Sequence, residues 1–80
     1  MRENQNLSPK EQKVAICIAQ GYKDSEISRN LSISMRRTAE IVASIKEKWN
    51  IKTRVEIGIF AYHYGLVFLT EGMEVHSSEF

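Results

Sequence analysis

The stretch that decides the fold is residues 31–49, LSISMRRTAEIVASIKEKW, in which an apolar side chain returns every three or four positions. At about 100° per residue, this spacing predicts a helix over residues 35–49, which Ser34 is placed to cap. The stripe expected to face the core contains Thr38, Ile41, Val42, Ile45 and Trp49. The opposite, outward face carries Arg36, Glu40, Ala43 and Glu47. It is flanked on one side by Arg37, Ser44 and Lys48, and on the other by Ala39 and Lys46.

A tight turn connects this helix to a shorter one before it. The shorter helix is expected to begin near Lys23 and Asp24 and to run to Leu31, burying Ile27 and Leu31. Residues 31–34, LSIS, then form the connection. Two helices joined by such a short turn, the second with polar residues on the outward face of its N-terminal end, are typical of a helix-turn-helix.

Two capping boxes indicate an outer helix on each side of this pair. Residues 8–11, SPKE, place a serine three positions before a glutamate and a proline at the first helical position, and Gly21 is a natural end for the helix that follows. Residues 53–56, TRVE, repeat the signal, and the last helix is expected to stop at Gly65. The sequence therefore predicts an all-α fold, a four-helix bundle with a central helix-turn-helix.

The chain of 80 residues is expected to form one small domain over residues 7–67. Residues 1–6 are polar and residues 68–80 form an acidic tail, so we expect both segments to be flexible.

Cys17 is the only cysteine, which excludes an intrachain disulfide and suits a reducing compartment. No apolar run approaches the roughly 18 residues of a membrane-spanning helix, and the N-terminus lacks the apolar segment of a signal peptide. We therefore expect a location in the bacterial cytoplasm or nucleoid, without membrane association.

The positive charge is concentrated in one part of the chain. Although the formal net charge is only +1, residues 36–54 carry six cationic side chains against Glu40 and Glu47. A basic segment in a nearly neutral chain favours binding to a polyanion, and a solvated helix face is the alternative. Arg36 and Arg37 oppose the dipole at the N-terminus of their helix, which favours a functional role over a structural one.

At this point the sequence resembles a known family, the LuxR/GerE-type DNA-binding domain of bacterial transcription regulators, and in particular its free-standing, single-domain members. The resemblance covers residues 7–67 without gaps and rests on the joint spacing of Leu7, Pro9, Glu11, Val14, Ala19, Gly21, Glu26, Ile27, Leu31, Ser32, Ile33, Ser34, Ile45, Lys48, Ile51, Arg54, Glu56, Gly65 and Leu66. The family usually has a threonine-valine-lysine run at positions 37–39 and a histidine or similar residue at position 41. Here those positions hold Arg37, Thr38, Ala39 and Ile41, and Glu40 and Glu47 make the outward face less basic.

Two functions are compatible with this pattern. The first is a transcription regulator that reads the major groove of double-stranded DNA through the helix over residues 35–49. The residues expected to face DNA are Arg36, Arg37, Glu40, Ala43, Ser44, Lys46, Glu47 and Lys48. Arginine can bind guanine or a phosphate, and a glutamate can accept a hydrogen bond from cytosine. The second is an interaction protein whose outward glutamates bind another regulator or a polymerase subunit.

The last helix is expected to carry two apolar faces. Val55, Ile59 and Tyr62 lie on one side, opposite Ile57, Phe60, Ala61 and Tyr64. One face should join the core, and the other needs a cover, which is either a partner or residues 66–69, LVFL, folding back. The resemblance implies a homodimer through this helix, and we expect Val55, Ile59 and Tyr62 at its two-fold interface.

No pattern in the sequence indicates catalysis. His63 and His76 have no metal-ligand spacing with Cys17, no nucleophile is paired with a base, and no glycine loop suggests phosphate binding. We therefore expect neither an enzyme nor a bound cofactor or metal.

Overall fold

Residues 7–67 are the part of the protein that the computed structural model describes. They form α1 (Pro9–Ala19), α2 (Asp24–Leu31), α3 (Met35–Trp49) and α4 (Arg54–His63), with no strand among them. The prediction of an all-α fold with a helix-turn-helix is confirmed. The segments expected to be flexible, residues 1–6 and 68–80, lie outside the described residues. None of these four helices has the length and apolar character needed to cross a membrane.

The starts of three helices are fixed by the side chains that the sequence indicated. Ser8 Oγ accepts a hydrogen bond from the Glu11 amide at 3.2 Å, and Glu11 Oε1 accepts one from the Ser8 amide at 2.8 Å. Thr53 and Glu56 form the same reciprocal pair at the start of α4. Ser34 Oγ accepts from the Arg37 amide at 2.9 Å at the start of α3. Each box satisfies amide groups that a helix N-terminus otherwise leaves without a partner.

The turn between α2 and α3 contains a residue in the left-handed region. Ser32 caps the C-terminus of α2 with a φ of 57°, and the Ile33 amide then donates to the Ser28 carbonyl at 3.0 Å. The left-handed residue and this hydrogen bond end α2 and redirect the chain within three residues. The sequence predicted a tight connection but not the left-handed serine, a conformation that costs about 1–2 kcal/mol outside glycine.

The core is built from one face of each helix. Its buried residues are Leu7, Val14, Ala15, Ile18, Ile27, Ile41, Val42, Ile45, Trp49, Ile57 and Ala61. All five residues of the predicted α3 stripe are buried, so the interpretation of that helix is correct. Trp49 closes the core at the end of α3, with its ring centroid 5.3 Å from that of Tyr64 and 6.0 Å from that of Phe60.

Arg54 holds the start of α4 against the preceding helices. Its Nη1 donates to Asp24 Oδ1 and its Nη2 donates to the Tyr22 carbonyl, both at 2.5 Å. Asp24 is the first residue of α2, and Tyr22 lies in the loop between α1 and α2. Arg54 therefore fixes α4 relative to the helix-turn-helix.

Candidate nucleic-acid interface

The outward face of α3 is open to solvent along its length. Arg36, Glu40, Ala43 and Glu47 are all exposed, as the sequence predicted. The opposite stripe of α3 is buried in the core, which prevents the helix from rotating about its axis. This face is therefore presented in a fixed orientation.

Three charged side chains form a cluster at the N-terminal end of this face. Arg36 Nε lies 3.7 Å from Glu40 Oε2, and Arg37 Nη1 lies 3.5 Å from Glu40 Oε1. The side chain of Arg36 is 89% exposed, that of Arg37 is 58% exposed and that of Glu40 is 54% exposed. At such distances and exposure these pairs are weak, so they contribute little to stability. We call Arg36, Arg37 and Glu40 the outer triad.

The flank of α3 that faces α1 is organised differently. Glu11 is buried, and its carboxylate accepts from Ser44 Oγ at 2.6 Å and from Lys48 Nζ at 2.8 Å. The same carboxylate accepts from the Ser8 amide. Glu11 therefore joins the start of α1 to the middle and the end of α3. We call Glu11, Ser44 and Lys48 the inner triad.

The pKa of Glu11 reflects these bonds. Burial works to raise it, but the hydrogen bonds from Lys48, Ser44 and the Ser8 amide, with the charge of Lys48, outweigh burial and lower the pKa to about 2. The carboxylate is therefore charged throughout the physiological range. A charged group that accepts three hydrogen bonds at a helix-helix contact has a structural role.

The eight residues expected to face DNA thus fall into two groups. Six lie away from the inner triad, namely Arg36, Arg37, Glu40, Ala43, Lys46 and Glu47. Lys46 is half-buried, and the other five are exposed. Ser44 and Lys48 instead point to Glu11. The sequence identified Glu11 only as a capping residue, because its tertiary partners are 33 and 37 positions away.

A second exposed surface lies on α4. Val55, Ile59 and Tyr62 are 70%, 56% and 50% exposed, whereas Ile57 and Ala61 on the opposite side are buried. The sequence therefore oriented α4 correctly. The exposed stripe lines an open, largely apolar groove together with Ile18, Tyr22 and Val67.

The possibility that residues 66–69 cover this stripe is tested only in part. Val67 is buried and lines the groove, and Leu66 is half-buried. Residues 68 and 69 lie outside the described residues. With Leu66 and Val67 in place, Val55, Ile59 and Tyr62 still expose half or more of their surface.

The described residues offer no cluster of three or more histidine, cysteine or acidic side chains arranged to hold a metal. Cys17 is half-buried on α1, and burial raises the pKa of its thiol. That environment is typical of a structural cysteine rather than a reactive one.

A comparison with models of known protein families agrees with the geometry of this helix-turn-helix. The family model described as bacterial regulatory proteins, luxR family, also called GerE, matches residues 5–61 of the 80-residue chain. No individually curated protein matches the chain significantly.

Proposed function

The chain belongs to the LuxR family of bacterial regulatory proteins, whose shared domain is a DNA-binding regulatory unit, and we propose that it is a transcription regulator that reads duplex DNA through α3. The observation that carries this proposal is the solvent-exposed outward face of α3, which begins with two arginines and is locked in orientation by the buried stripe behind it. The N-terminal residues of a recognition helix are those that contact base edges in helix-turn-helix complexes.

The dimensions of α3 suit the major groove. Its 15 residues span roughly 22 Å at 1.5 Å per residue. The major groove of B-form DNA is about 12 Å wide and admits one α-helix. α2 packs behind α3 and would cross the DNA backbone, with Arg36 and Arg37 at the entry end of the groove.

Some of the local positive charge is used inside the protein. Lys48 pairs with Glu11 and Arg54 pairs with Asp24. We therefore assign the electrostatic contacts with DNA mainly to Arg36, Arg37 and the half-buried Lys46. Fewer phosphate contacts give a shallower salt dependence, because each contact releases condensed counterions.

A salt series tests this function. Binding of the protein to labelled, mixed genomic DNA fragments is measured from about 50 to 200 mM salt. The proposal expects binding at low salt that weakens as salt increases, with a slope corresponding to a few phosphate contacts. Absence of binding at the lowest salt would refute it.

We propose further that the protein acts as a homodimer through α4. Val55, Ile59 and Tyr62 form an exposed apolar stripe on α4, whose opposite side is buried at Ile57 and Ala61. In a two-fold interface the same stripe is buried on both chains. Two copies of α3 would then contact half-sites about one helical turn apart, in the bacterial cytoplasm or nucleoid.

The Ile59→Glu variant tests the dimer. It places one carboxylate on each side of the two-fold axis, so we expect a folded monomer. Sedimentation measures the mass and circular dichroism checks the fold. Thr53→Ser is the matched control on α4, since it retains the capping hydroxyl at the helix start. A wild-type chain that sediments as a monomer at high concentration would contradict the dimer.

A second function is supported by the two exposed carboxylates on α3. Glu40 and Glu47 on the outward face would repel phosphates but could bind a basic surface on another regulator or a polymerase subunit. Changing both to glutamine distinguishes the two functions. It should raise non-specific DNA affinity if the protein binds DNA, and it should abolish a protein complex if one forms there.

A further inference from the structure

We infer that Glu40 is a base-reading residue and that the outer triad selects G·C pairs in the DNA target. This inference rests on the proposed DNA-binding function and specifies which sequence feature α3 recognises. Its physical basis is the arrangement of one acceptor between two donors at the end of the helix that enters the groove.

The geometry places Glu40 between the two arginines. Its Oε1 faces Arg37 and its Oε2 faces Arg36, one guanidinium on each oxygen. Since both contacts are long, each oxygen retains capacity for a further hydrogen bond. All three side chains are also exposed, so they are accessible from the solvent.

A carboxylate in the major groove distinguishes among bases by their donors. Cytosine presents its N4 amino donor there without a neighbouring acceptor. Adenine presents its N6 donor beside the N7 acceptor, which repels a carboxylate, and guanine and thymine present only acceptors at the corresponding edge. Glu40 therefore selects cytosine.

The arginines complete the same choice. A guanidinium donates two hydrogen bonds to guanine O6 and N7, the commonest specific contact in the major groove. Glu40 lies within 3.7 Å of the guanidinium groups of both Arg36 and Arg37, so the acceptor and the donors can reach neighbouring base edges together. An acceptor for cytosine next to donors for guanine fits one G·C pair or two consecutive ones.

The test compares two substitutions that each remove one exposed carboxylate, of which only Glu40 lies on the outward face of α3. Glu40→Gln and Glu26→Gln each put an amide of nearly equal size in place of the carboxylate, and the amide oxygen of Glu26→Gln can still accept from the Lys23 amide at the start of α2. Each variant loses one negative charge, so neither should lose non-specific affinity. Wild type and both variants are used to select binding sites from a random-sequence DNA library, and affinities are then measured on the selected sites and on single-pair changes.

Wild type and Glu26→Gln are expected to select G·C at the position read by the outer triad and to lose roughly tenfold or more in affinity when that pair becomes A·T. Glu40→Gln should weaken or reverse this preference, because glutamine forms two hydrogen bonds with adenine N6 and N7. If Glu40→Gln selects the same sites as wild type, Glu40 does not read a base, while DNA binding stands. If wild type binds no DNA at low salt, the proposed function and this inference both fail.

Discussion

The outer triad lies on α3 alone, whereas the inner triad joins a neighbouring side of α3 to Glu11 of α1, and each triad surrounds one glutamate with hydrogen-bond donors. In the inner triad, a buried glutamate receives short hydrogen bonds of 2.6 and 2.8 Å from Ser44 and Lys48. In the outer triad, an exposed glutamate lies 3.5 and 3.7 Å from two arginines. The inner carboxylate joins two helices, whereas the outer one pairs with two arginines of its own helix.

This difference shows how a charged side chain on a helix is assigned a role. The Glu11 carboxylate is nearly buried, so water replaces its hydrogen bonds poorly and they are costly to break. Exposure leaves the outer contacts weak and exchangeable with solvent. Polar groups that the fold does not need are the ones available to a ligand. The predictions below test this distinction by changing each triad in turn.

The largest effect is expected for Glu11→Ala. The substitution removes one half of the α1 capping box and leaves Ser44 and Lys48 without their carboxylate partner. We expect the free energy of unfolding to fall by about 2–4 kcal/mol. Urea denaturation followed by circular dichroism, at one fixed protein concentration, measures it.

Glu11→Gln separates the contributions within that loss. The amide oxygen can still accept from the Ser8 amide, so the capping box is largely retained while the ion pair with Lys48 is lost. We expect a smaller destabilisation than for Glu11→Ala. Equal stabilities of Glu11→Ala and wild type would mean that the inner triad has no structural role.

Acid should remove the contribution of Glu11 in a defined range. Its pKa is about 2 in the folded protein and near 4.5 without the fold, so the unfolded chain binds the proton more tightly. The resulting stabilisation, roughly 3 kcal/mol, is complete above about pH 5 and is lost as the pH falls toward 2. The measurement is the difference in unfolding free energy between wild type and Glu11→Gln at several pH values. It should shrink across that range, and a constant difference would contradict the assignment.

The sequence predicted the fold well because its signals are local. The capping boxes at residues 8–11 and 53–56 and the apolar period of α3 each act within a few residues, and all appear in the structure. The opposite faces of α4 followed from helical geometry in the same way, since Val55 is exposed and Ile57 is buried. Local physics thus determined the elements and the orientation of their faces.

The parts of the site that the sequence did not predict depend on how helices pack. Nothing near Glu11 in the chain indicates that it would bind Ser44 and Lys48, and nothing near Arg54 identifies Asp24, 30 positions away, as its partner. Lys48 was therefore expected to face DNA. Only the tertiary structure distinguishes a lysine that pairs within the protein from one that faces outward.

Lys48→Met tests that distinction with a moderate effect. Methionine retains most of the apolar stem but cannot pair with Glu11, so we expect a loss of about 1–2 kcal/mol in unfolding free energy. If Lys48 is mainly structural, the slope of DNA affinity against salt should change by much less than one counterion. The paired control is Lys46→Met on the other side of α3. A decrease of about one counterion in Lys48→Met would show that Lys48 also contacts a phosphate.

The smallest effect on stability is expected for the double variant Arg36→Ala, Arg37→Ala. It removes two weak pairs with Glu40, but it also removes two cations from a helix N-terminus that they oppose. These contributions offset each other, so the unfolding free energy should change by no more than about 0.5 kcal/mol.

The DNA affinity of the same double variant should fall strongly. Each arginine that contacts a base is expected to contribute about 1–3 kcal/mol to specific binding, whereas one that contacts a phosphate should mainly reduce the salt slope by about one. Measuring affinity for a selected site and for random DNA across a salt series separates these cases. A double variant that keeps wild-type stability and wild-type affinity for both DNAs would show that the outer triad does not contact DNA, and would favour a protein partner on this face.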